Sequence, residues 1–150
     1  MTAPGNGGIP TAADYLPDWA APRFLIVEKQ NHWTGAIASE VRSRISSDMT
    51  APVFEHCAST RDALLAAELR NTIGIVLCLP GLEKEILGLL GRLSRIPHRQ
   101  WPILAIGQRQ HQDILPALME SGVQKMMVDI RDDLECSLWC LRVLGQRPGR

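Results

Sequence analysis

No apolar run in this 150-residue chain approaches the roughly eighteen residues that a membrane-spanning helix needs, so a bilayer partner is not expected. Nor does charge of one sign prevail. Sixteen Lys and Arg against sixteen Asp and Glu leave a formal net charge of zero, and no long-range field draws the chain to nucleic acid or an acidic membrane. The opening stretch MTAPGNGGIPTAADYLPDWAAP has no Lys or Arg and no apolar core, which excludes a secretory signal of the usual kind. Cysteine is sparse as well. Cys57, Cys78, Cys136 and Cys140 lack the paired spacing of a small disulfide scaffold, so reduced thiols and a cytoplasmic location are the expectation.

What remains is an ordinary globular composition, 45% hydrophobic and 21% charged, at a length that makes one domain with a real core. Residues 1–21, rich in Gly, Pro, Ala and Thr, read as a flexible N-terminal tail in which Tyr15, Leu16 and Trp19 are the residues able to dock. The domain is expected over residues 22–146, with a short C-terminal tail at 147–150.

From Arg23 onward short apolar runs alternate with helical periodicity. RFLIVE, PVFEHC, IGIVLCL, PILAIG and VQKMMVDI read as strands, the first a continuous apolar run of the kind buried on both faces and the second weaker. Between them lie helical patterns. Trp33, Ile37, Val41 and Ile45 recur every four residues after Asn31, a plausible cap, and Ser59 and Thr60 open RDALLAAELR. EKEILGLLGRLSRI follows the third strand, and HQDILPALMESG has Pro116 near its start and Gly122 at its end. RDDLECSLWCLRVLG closes the series. Such alternation predicts an α/β domain with a flavodoxin-like, doubly wound, five-stranded parallel sheet in the order 2-1-3-4-5. Ligands of such sheets bind beyond the carboxyl ends of strands 1 and 3, where Glu28 and Cys78 fall.

Three stretches carry a family resemblance. FLIVEKQN is similar to the first strand of response-regulator receiver (CheY-like) domains, IGIVLCLPG to their third strand and loop, and ALMESGVQKMMVDI to their fourth helix and fifth strand. The resemblance implies a receiver-like fold. It also implies a site: two acids after strand 1, a phosphoacceptor aspartate ending strand 3, a hydroxyl ending strand 4 and a lysine ending strand 5, with Mg²⁺ held by the acids. At those positions this chain has Glu28 and Lys29, Cys78, Ile106-Gly107, and Asp129. One of the five matches. A thiol is a poor partner for Mg²⁺, and Asp129 adds negative charge where transfer needs positive. The resemblance therefore implies a degenerate pseudo-receiver pocket of Glu28, Lys29, Cys78, Ile106, Gly107 and Asp129, with no catalytic residue, metal or cofactor.

Other chemistry has weaker support. Cys78 as a nucleophile would need a lowered pKa, for which Lys29 is the one candidate activator; a buried apolar filler is the competing reading. The loop after it has Lys84 where a phosphatase-like loop would carry arginine. Cys136 and Cys140, four apart, share a helix face, but with His56 and Cys57 on another element they make a meagre zinc set. HWTGAIA has too few glycines and hydroxyls for a phosphate loop, and His32, His98 and His111 sit in polar loop contexts. Between Glu85 and Asp113 no acid occurs while Arg92, Arg95, Arg99 and Arg109 do, which reads either as a binding patch or as a solvated face. Two functions stay open: a non-enzymatic signalling module that binds proteins, with a weak homodimer through residues 113–145, or a small-molecule or redox-responsive domain centred on Glu28, Cys78 and Asp129.

Overall fold

The computed structural model describes residues 21–68, 71–97 and 99–146; the tails expected at residues 1–21 and 147–150 lie outside these except for Ala21, as does His98. In chain order the elements are β1 (Arg23–Val27), α1 (Trp33–Arg44), β2 (Val53–Cys57), α2 (Thr60–Ala67), β3 (Thr72–Cys78), α3 (Ile86–Ser94), β4 (Ile103–Gly107), a 3-10 turn (Arg109–Ile114), α4 (Leu115–Glu120), β5 (Lys125–Val128) and α5 (Leu134–Gly145). The five strands form one parallel sheet in the order β2-β1-β3-β4-β5, as the alternation predicts.

Side chains of the central strands alternate between two apolar layers. Leu25, Val27, Ile75, Leu77, Ile103 and Ala105 meet α2 and α3, whereas Phe24, Ile26, Val76, Cys78, Leu104 and Ile106 meet α1 and α5. Both faces are covered, which is why these strands read as continuous apolar runs. Each fully buried Leu, Ile or Phe contributes about 1.5–3 kcal/mol of transfer free energy. Gly74 in β3 makes room for one of them. A Cβ there would stand 2.8 Å from the Phe24 ring, which stacks on Phe54 at 5.2 Å and tilts against Trp139 at 6.4 Å.

Local chemistry accounts for most boundaries. The Ser59 hydroxyl accepts from the Asp62 amide at 3.1 Å and caps α2. The fourth helix differs from the single span expected over 111–122. Its first half is the 3-10 turn, and α4 starts only around Pro116, which has no amide to leave unbonded in a first turn. Gly122, at φ +114°, ends it while the Val123 amide bonds back to the Leu118 carbonyl at 3.0 Å. α3 likewise begins at Ile86, because Leu79–Glu85 makes turns closed by Leu82 N–H to Leu79 O and Glu85 N–H to Leu82 O. Among the described strands β5 pairs with β4 alone, and it is shorter than the run 123–130 suggested. Among the described residues no helix is long and apolar enough to cross a membrane.

Candidate functional site

The winding of the sheet reverses between β1 and β3, so their carboxyl ends open a crevice. Glu28, directly after β1, is 2% exposed, and its carboxylate faces the start of α1. Oε1 accepts from the amides of His32 and Trp33, both at 2.9 Å; Oε2 accepts from the amides of Trp33 (3.0 Å) and Thr34 (2.9 Å) and from the Thr34 hydroxyl (2.7 Å). The first amides of a helix have no partner within it, and their aligned dipoles favour negative charge. Glu28 supplies both needs. The expected cap, Asn31, is not used, and His32 at the N-cap position makes no side-chain cap bond.

Lys29 is exposed, and its stem crosses the loop after β3: a Cβ on Gly81 would lie 2.9 Å from its Cδ. Gly81 has φ +84°, a conformation that suits glycine. Cys78 is 4% exposed and belongs to the α1–α5 layer. Burial, then the Glu28 carboxylate, then Cys136 push its thiol far above the ordinary cysteine range. Lys29 lines the same cleft of about 330 Å³. A thiol held protonated is a weak nucleophile.

The remaining members of the expected pocket diverge. Ile106 is the register partner of Cys78 and is buried in the same layer. Gly107 lies beside His111, whose Nδ1 would be 3.2 Å from a Cβ at that position. Asp129 adopts φ +52°, and its carboxylate accepts from the Arg109 amide at 3.2 Å and faces the Arg109 guanidinium at 3.8 Å. Glu28, Lys29 and Cys78 thus share one cleft, whereas Asp129 lines no part of it.

His111, which sequence placed in a polar loop, is 4% exposed. Its Nδ1 accepts from the Gln108 amide at 2.8 Å, so the ring proton of the neutral imidazole is on Nε2, which donates to Glu83 Oε2 at 3.0 Å. That bond holds the Glu83 carboxyl below its usual range. With both ring nitrogens engaged, His111 ties the 3-10 turn to the loop after β3. The signal that could have found it is Gln108 and His111 three apart just after a strand, a reciprocal capping arrangement.

Other candidates separate as well. Cys57 packs in the α2–α3 layer and Cys136 and Cys140 in the α1–α5 layer, so the sheet stands between them. Among the described residues no three His, Cys, Asp or Glu side chains group as a metal site would need. Of the arginines from 92 to 109, Arg109 faces Asp129 and Arg99 donates to the Ala67 carbonyl at 3.3 Å, while Arg92 and Arg95 are exposed at the end of α3.

No protein-family model matches the chain, and no curated protein matches it in sequence. Solved structures do. The signal receiver domain of a signal transduction histidine kinase from Syntrophus aciditrophicus is 18% identical with a TM-score of 0.64, over 87% of this chain and 95% of that one. A chemotaxis response regulator of Vibrio cholerae is 14% identical with a TM-score of 0.63, over 83% of this chain and 98% of that one. The receiver domain of a Francisella response regulator is 13% identical with a TM-score of 0.64, again over 83% and 98%. At such identities the likeness is one of fold, and the fold is the CheY-like one of receiver domains.

Proposed function

With a receiver fold as the premise, we propose that this chain is a non-enzymatic signalling module that acts by binding other proteins and does not accept a phosphoryl group at position 78. One observation carries the reading: where receivers end strand 3 with their acceptor aspartate, this chain has a thiol buried in the core, where burial raises its pKa. Phosphoryl transfer also needs a divalent cation on hard oxygens and positive charge around the transferring group. The residues at the site do not fit that cation. Both Glu28 oxygens are bonded to the first turn of α1, the neighbouring position is Lys29, and the donor at 78 is sulfur. Ile106 and Gly107 offer no hydroxyl, and Asp129 is bonded to Arg109.

A partner surface is supported at α4, β5 and α5. β5 leaves its outer edge unpaired among the described strands, and Met119, Leu134 and Leu138 on the flanking helices are exposed, Met119 by 50%. A weak homodimer through residues 113–145 fits that surface. Four buried free thiols suit a reducing, cytoplasmic setting. Incubation with acetyl phosphate and Mg²⁺ followed by mass spectrometry should show no added phosphoryl mass. A stoichiometric, acid-labile adduct would overturn the reading.

A further inference from the structure

We propose that two adjoining clefts at the amino end of the sheet bind a small aromatic carboxylate. One cleft, of about 450 Å³, has Leu90 and Leu93 of α3 and Ile103 of β4 as its floor and the half-buried Trp101 at its side. The other, of about 530 Å³, lies around Arg95 and Pro97, past the end of α3. Ser94, Arg99 and Gln100 line both, so the two open into each other. Both volumes are in the range of sites that hold small organic molecules. The site is at the opposite end of the strands from Glu28 and Cys78, so it stands apart from the chemistry at position 78.

The floor suits an apolar body. Leu90, Leu93 and Ile103 belong to the α2–α3 layer, and Trp101 packs against the same layer from its edge. A flat ring covers these side chains, and beside Trp101 it gains the offset or edge-on contact that aromatic pairs prefer. Charge sets the other half of the ligand. Among the described residues that line the two clefts none is acidic, and two are arginines. Arg95 is exposed and forms no ion pair among the described residues. Arg99 is half-buried and anchored by its bond to the Ala67 carbonyl at 3.3 Å. A guanidinium is always charged and matches a planar carboxylate with paired N–H bonds. Other clefts differ in this respect: Glu28 lines the one that holds Lys29, and Glu85 lines the groove beside Arg92.

The nearby helix end narrows the choice of anion. Phosphates favour the amino ends of helices, where amides and the dipole meet them. These clefts meet the carboxyl end of α3, whose dipole opposes negative charge. A dianion loses more to that dipole than a carboxylate does. The last carbonyls of α3 are already bonded: Gly91 O accepts from the Ser94 hydroxyl at 2.7 Å, Arg92 O from the Arg95 amide at 3.2 Å and Leu93 O from the Ile96 amide at 3.1 Å. A cationic ligand would meet those engaged carbonyls and two guanidinium groups. One negative charge on an aromatic body is what the lining fits.

Naphthalene-1-acetate tests this on the full chain, with naphthalene-1-acetamide as its uncharged counterpart. Backbone amide signals of Ser94, Gln100, Ile103 and Gln124 should shift saturably with the acid, while those of Gly81 and Gly107 at the far end stay in place. The acetamide should bind about tenfold more weakly, and so should the acid to Arg95→Gln, a change at an exposed side chain. Arg131→Gln, an exposed position past β5, should leave the affinity unchanged. Absence of saturable shifts at millimolar acid would overturn the proposal, as would equal binding of the acetamide or by Arg95→Gln. Shifts centred on Lys29 and Gly81 would overturn it too, because the acid would then occupy the crevice at the other end.

Discussion

Replacing Glu28 by alanine takes the acceptor from three backbone amides and the Thr34 hydroxyl at once. Loss of an ordinary cap costs about 1 kcal/mol, and each buried donor left unpaired adds about 1–3 kcal/mol before water relieves it. Glu28→Ala should therefore lower stability by about 2–4 kcal/mol in urea melts, with Glu28→Gln, which keeps one acceptor oxygen, losing less. The sequence marks Glu28 as the end of a strand at a crevice, but its partner six residues on depends on the path of the loop, and Asn31 looked the better cap on spacing alone. Cys78 was more legible, since a thiol closing an apolar run is usually packed. Cys78→Asp would place a carboxyl in that layer next to Glu28, where burial and like charge both raise its pKa. A folded value above the unfolded one, about 3.9, makes the deficit grow as pH rises through about 4 and shrink in acid. At neutral pH it should reach about 1–3 kcal/mol, with no gain of phosphorylation. Equal deficits at pH 7 and about pH 4 would mean that position 78 is solvated.

Between elements, His111 joins the 3-10 turn after β4 to the loop after β3. His111→Ala leaves the Gln108 amide and the Glu83 carboxylate without it and should cost about 1–3 kcal/mol in denaturant melts. The pH response follows from Glu83, whose carboxyl is held low in the folded state. Stability from this bond is present above the unfolded carboxyl pKa and is lost as pH falls through the folded value. Parent and variant should therefore converge in acid, by a small amount because the Glu83 side chain is 45% exposed. Convergence absent from melts at neutral and acidic pH would remove the role given to Glu83. Strong periodicity made α1, α2 and α5 legible to within a few residues. The 109–122 region was not, because Pro116 fits the middle of the apolar pattern while its ring fixes where a helix begins.

At the scale of the molecule, strand order was readable because alternating apolar runs and helices leave few right-handed windings. Which side chains meet across the carboxyl edge was not. Asp129 follows β5 with φ +52°, and its carboxylate accepts from the Arg109 amide. Association belongs to this scale too. With zero formal net charge, little repulsion opposes contact between exposed Met119, Leu134 and Leu138 on two copies. Sedimentation should show a weight-average mass rising from monomer toward dimer as concentration increases, and Leu138→Glu should suppress the rise. A strictly monomeric protein at high concentration would remove the proposed dimer face.

The partition of the thiols between the two layers turns them into clocks. Cys57 lies under α2 on one side of the sheet, and Cys78, Cys136 and Cys140 lie under α1 and α5 on the other. Burial raises Cys57 and Cys136 to about 12, so the closed protein offers an alkylating reagent almost no thiolate. Reaction must wait until a helix lifts from the sheet. The alkylation rate at Cys57 then times the opening of one layer, and that at Cys140 the opening of the other. If the two rates coincide the layers part together, and if they differ the sheet can bare one face while keeping the other dry.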